Sequence, residues 1–94
     1  MTIDARQSRG GLVLVVHGSF DRQDTQDVEA AVAELGPGTR VTIDLHDVRV
    51  CDDAAVAKLA RDLSCDLAAS VELVGLSEHH WRLLRYLGIR PTRH

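Results

Sequence analysis

The apolar positions alternate between two spacings along the chain, and each switch marks an element. Leu12-Val13-Leu14-Val15-Val16 is a continuous apolar run. With Thr2 to Arg6 before it and Gly10-Gly11 between, the stretch reads as two strands joined by a glycine turn. Beyond Asp24 the period lengthens: Val28, Ala31, Val32 and Leu35 fall at i, i+3, i+4 and i+7, the stripe of an amphipathic helix. Asp21 or Asp24 can cap its start and Gly36-Pro37-Gly38 ends it. Val41, Ile43 and Leu45 then alternate with Thr42, Asp44 and His46, and Val48 and Val50 carry the pattern onward. A strand is expected here, reaching a loop near Cys51. Asp52 and Asp53 precede a second helical stripe, Val56, Leu59, Ala60 and Leu63, where a carboxylate accepts from first-turn N–H groups. Ser70 to Gly75 reads as a further strand. Ser77 and Glu78 open a third helix carrying Trp81, Leu84 and Leu87, closed by Gly88 and then Pro91.

The order strand, strand, helix, strand, helix, strand, helix predicts an α/β architecture. Crossover helices would lie on a sheet that is at least partly parallel. Ninety-four residues leave room for one domain, residues 1–94. Their 45% hydrophobic and 27% charged content suits a packed core rather than disorder. The longest apolar run, Leu12 to Val16, is far below the roughly 20 residues of a membrane span, and no basic-then-apolar leader opens the chain. Neither membrane insertion nor export is expected.

A net charge of −3 offers no footprint for phosphate backbones, and one Phe, one Trp and one Tyr make no base-stacking surface. Direct nucleic-acid binding is therefore not expected. Two cysteines, Cys51 and Cys65, form no CxxC pair and suit a reducing cytoplasm. The candidate chemistry is thin. Asp44, His46 and Cys51 could gather at a strand's C-terminal end, but no oxyanion hole or cofactor motif accompanies them. His17-Gly18 echoes a hydrolase turn without any G-x-S-x-G elbow. His79 and His80 are adjacent, so on a helix they point about 100° apart and are read as two surface residues, not metal ligands. Cys51, flanked by Asp52 and Asp53, reads as a buried strand-end thiol, Cys65 as a small surface or linker residue, and Trp81 as a core residue ahead of an interface anchor. No catalytic residue, cofactor or metal is expected.

Three segments, in order, resemble one known family. Val41 to Val56 is similar to the central signature of STAS domains, the bacterial anti-sigma factor antagonists, in which a strand ending Asp-Leu leads to an Asp-Ser-Ser-Gly loop capping a helix. Gly18-Ser19-Phe20-Asp21 resembles the stretch before that family's first helix. Val71 to Ser77, with Trp81-Arg82-Leu83-Leu84 and Leu87-Gly88-Ile89, resembles its last strand and helix. The similarity spans about four fifths of the chain.

The resemblance implies a mixed sheet of four to five strands packed against about three helices, and a non-enzymatic domain working by protein contact in bacterial signalling. The implied partner is an anti-sigma factor that is also a serine kinase, or another signalling protein, with a homodimer as a further possibility. Family members are switched off by phosphorylation of the loop's second Ser, which falls here on Ala54; Asp53 takes the first Ser position and Ala55 the Gly position. A methyl group accepts no phosphate, so the usual switch is expected to be missing. The implied partner-binding set is Asp21, Asp52, Asp53, Ala54, Ala55 and Lys58. Two alternatives stand beside partner switching: a small cytoplasmic STAS subunit of a lipid-transport ABC complex, and a redox sensor or small enzyme at Cys51. A ligand-binding module taking a nucleotide or lipid headgroup at the open end of the sheet is a further reading.

Overall fold

A computed structural model describes residues 1–35, 39–65 and 70–89. Strand β1 (Thr2–Ser8) turns at Arg9-Gly10 into β2 (Gly11–Phe20), and helix α1 (Arg22–Ala33) follows. Then come β3 (Arg40–Cys51), α2 (Asp53–Cys65), β4 (Ser70–Val74) and α3 (Glu78–Tyr86). The sheet runs β1-β2-β3-β4; the hairpin pair is antiparallel, and β3 is parallel to both β2 and β4. This is the expected α/β order, with four strands and three helices among the described residues. The hairpin turn sits one residue earlier than the Gly10-Gly11 pair suggested, because Gly10 supplies the positive φ of 82° while Gly11 already pairs with Ser8.

The helices share one face of the sheet. Leu14 and Val16 of β2, Val41, Ile43 and Leu45 of β3 and Leu73 of β4 form a single buried cluster with Val28 and Val32 of α1. Val56 and Leu59 of α2 and Trp81 and Leu84 of α3 complete it. The stripes read from spacing are thus the buried ones, and Trp81 is a core residue. Leu87 departs from its stripe: it is the C-cap of α3 and exposed, since Gly88 turns the chain there and Ile89 N–H reaches back to the Leu84 carbonyl at 2.9 Å. Leu63 and Cys65 lie in α2, Cys65 as its last residue rather than in a linker; their side chains, Gly36-Pro37-Gly38 and Pro91 lie outside the described residues.

The end of β3 differs from its reading. Between Val15 and His17 β2 advances two residues while β3 goes from Asp44 to Asp47; between Gly18 and Ser19 it advances one while β3 goes from Val48 to Val50. Each shift is a bulge that puts one extra residue in β3, and each flips the alternation. Leu45 faces the core, Val48 and Cys51 face it partly, and Val50 points out, 69% exposed. The strand ends at Cys51, as the strand-end reading of that thiol expected.

Truncation measures this register. Phe20→Ala is expected to cost about 3–5 kcal/mol in urea unfolding and Val50→Ala no more than about 0.5 kcal/mol. A comparable loss at both positions would contradict the outward placement of Val50.

Candidate functional site

The bulged end of β3 delivers Asp52 beside the end of β2, where its N–H donates to the Phe20 carbonyl at 3.0 Å. Asp52 then caps α2: its Oδ1 accepts from Ala54 N–H at 2.9 Å and its carbonyl from Val56 N–H at 3.1 Å. Ala54 is exposed on the first turn. Ala55 is not; it is 0% exposed, and its carbonyl accepts from the hydroxyl of buried Thr25 at 3.3 Å. Its expected place in the contact set is therefore corrected, because the helix turns its methyl into the core. Thr25, which sequence reading passed over, joins α1 to α2 at this point and also reaches the Asp21 carbonyl at 3.3 Å.

Asp21 is the N-cap of α1 and shares a reciprocal pair of bonds with Asp24, 3.0 Å each way. The Asp24 N–H beside it holds its carboxyl below the usual range. Lys58 is engaged within the chain. It donates to Asp62 at 2.6 Å one turn on and lies 3.7 Å from Glu29 of α1, tying the two helices together. These neighbours, Asp62 foremost, raise its pKa. Asp52 and Ala54 thus face outward together, while Lys58 serves α1–α2 packing.

Asp53, the first residue of α2, is freed from capping by Asp52 and instead meets α3. Its Oδ2 lies 3.0 Å from His79 Nε2 and its Oδ1 2.9 Å from His80 Nε2. The reading of two surface histidines that cannot converge is corrected. Side chains in a helix lean toward its N-terminus, so both rings tip over the first turn of α3, where α2 begins. His80 is 8% exposed, and its Nδ1 lies 2.8 Å from the Oγ of Ser77, the N-cap. His79 first, then His80, holds the Asp53 carboxyl below its ordinary value, against the opposing effect of burial. No local pattern announces this contact, since 26 residues separate Asp53 from His79.

A cleft of 420 Å³ opens beside the triad, walled by Cys51, Asp53, Gly75, Ser77, His79 and His80 among others. Gly75, at φ 79°, closes the β4 end: a Cβ there would stand 2.4 Å from His46 N. Burial, reinforced by Asp53 and Asp52, pushes the half-buried Cys51 thiol up to about 11. Asp44 and His46 are joined at 2.6 Å, but among the described residues no hydrogen bond ties Cys51 to either. His17-Gly18 lies inside β2 rather than in a turn. On the helix-free face His17 is held between Asp47, at 2.5 Å from Nδ1, and Asp4, at 2.9 Å from Nε2. The Asp47 bond most of all, and Asp4 after it, raises its pKa above 6.5.

The chain matches the family model described as "Mlab, STAS domain" over residues 3–90. It belongs to the STAS family. No curated protein sequence matches it. Among solved structures, this STAS domain resembles that of "the Anti-Sigma Factor Antagonist SpoIIAA in its Unphosphorylated Form". The TM-score is 0.63 at 14% identity, over 99% of this chain and 87% of the other. At that identity the likeness establishes a common fold. Among the described residues no helix of the domain is long and apolar enough to cross a membrane.

Two measurements follow. Native Cys51 is expected to alkylate more slowly than a free cysteine, because little thiolate forms at neutral pH; faster reaction in the folded protein would revive a reactive-thiol role. The His17 contribution to stability is fully present below pH 6.5 and is lost as pH rises through its raised folded pKa. The stability gap between wild type and His17→Gln should therefore narrow on going from pH 6 to pH 9, and a widening gap would refute the pairing.

Proposed function

We propose that the domain is a non-enzymatic docking module of a bacterial signalling complex in the cytoplasm. In this reading Asp52, Asp53 and Ala54 meet a protein partner such as an anti-sigma factor, flanked by Asp21, with no serine phosphorylation switch. The observation that carries it is the exposed Ala54 methyl on the rigid first turn of α2, where the family resemblance places a phosphorylatable hydroxyl. Phosphate there would add nearly two negative charges at the docking point. This chain instead holds a fixed carboxylate, Asp53, in contact with His79 and His80. The raised thiol of Cys51 supports docking over a cysteine chemistry.

The second reading, a small subunit of a lipid-transport ABC complex, is favoured by the family description, whose name, Mlab, is not that of an anti-sigma factor antagonist. The docking surface serves either role, and the partner distinguishes them: a histidine-kinase-like ATPase for one, a transport ATPase for the other.

Tagged protein incubated with source-cell lysate is expected to retain one such ATPase. Ala54→Arg should weaken that retention by about tenfold or more, whereas Ala33→Arg on exposed α1 should not. Equal retention by both variants would overturn the assignment. Ala54→Ser is expected to become a substrate for the cognate kinase if the partner is of the switching kind.

A further inference from the structure

Asp53, His79 and His80 present three ligand atoms, all within 4.8 Å of one another, at the rim of an open cleft. One carboxylate facing two imidazoles is more than charge pairing requires, and Asp53 is not needed as the helix cap, because Asp52 fills that position. Both contacts use Nε2, the far ring nitrogen, so the two rings meet the carboxylate tip to tip.

We propose that Asp53, His79 and His80 form a binding site for a divalent first-row transition ion, zinc foremost. Bonds of about 2.0–2.1 Å to a tetrahedral zinc place neighbouring ligand atoms about 3.4 Å apart. The present N···O separations of 2.9 and 3.0 Å, made to the two different carboxylate oxygens, need open by a few tenths of an ångström, and ligand atoms now up to 4.8 Å apart close by about an ångström to admit the ion. Mixed imidazole and carboxylate donors suit zinc, nickel or copper rather than magnesium or calcium, which prefer oxygen throughout. The ion takes the Nε2 lone pairs of neutral imidazoles, so each ring carries its proton on Nδ1.

That tautomer is already provided for at His80. Its Nδ1 faces Ser77 Oγ at 2.8 Å, and a hydroxyl accepts from Nδ1–H as readily as it donates to an unprotonated Nδ1. Ser77 is thereby a positioning residue, the outer-shell partner that metal-bound histidines ordinarily possess. The open side of the cleft leaves a fourth position for water. The His17 cluster makes an instructive contrast: Asp47 and Asp4 lie on opposite ring nitrogens and cannot share an ion.

The test is calorimetric titration of chelator-stripped protein with zinc chloride, on the chain alone, so that its outcome is independent of any docking partner. One ion per chain is expected. His79→Gln, at an exposed position, and Asp53→Asn should each weaken binding about tenfold or more, as should His80→Gln where circular dichroism shows it folded; Ser77→Ala should weaken it about 10–100-fold. His17→Gln should leave it unchanged, and magnesium should not compete. Absence of saturable binding at a large zinc excess, or wild-type affinity in both His79→Gln and Asp53→Asn, would overturn the site.

Discussion

Two additional residues in β3, set against an uninterrupted β2, govern the functional end of this molecule. With no bulge, the alternation of Val41, Ile43 and Leu45 would have turned Val48 outward; with the first bulge alone, Val50 would have faced the core and Cys51 the solvent. The bulge after Val15 brings Val48 to the core side and the one after Gly18 brings Cys51 there beside Phe20, and the chain leaves the sheet aimed at the start of α2. From there Asp52 has both a strand-end carbonyl to donate to and a helix to cap. The position of Ala54, and the freedom of Asp53 to face α3, both descend from that register.

The neighbouring aspartates divide two tasks that one residue could not perform together. A capping carboxylate must fold back over its own helix, while a bridging carboxylate must reach away from it. Asp52 does the first and Asp53 the second. The consequence is a polar link between the first turns of α2 and α3, added to the core packing the two helices already share. Lys58 forms the matching link on the other side, between α2 and α1.

Much of this architecture was legible in the residues because its causes are local. The stripe Val28, Val32 follows from helical period, the ends of α1 and α3 from Asp21 and Ser77, and the two-stage hairpin from Gly10. The misreadings share a different origin. Val50 looked inward because alternation was continued from Val48 past the second bulge, which arises from pairing with β2. Ala55 looked available because a loop alignment carries no inside or outside, which is settled by Thr25 lying across from it. His79 and His80 looked divergent because an isolated helix gives only the angle between neighbours, and not the carboxylate that the next element brings within reach. The proposed docking loop was reached through resemblance and the histidine clamp was not, since it joins residues that no contiguous segment contains.

Ala54 sits between two anchor points: upstream, the Asp52 N–H is bonded to the end of β2, and downstream, the Ala55 carbonyl is bonded to α1 through Thr25. It therefore behaves as a stud on a stiff plate, with little slack to surrender when something seats on it. Recognition at such a point forfeits little chain entropy, and its selectivity comes from shape, since a surface that does not fit cannot coax the turn into compliance.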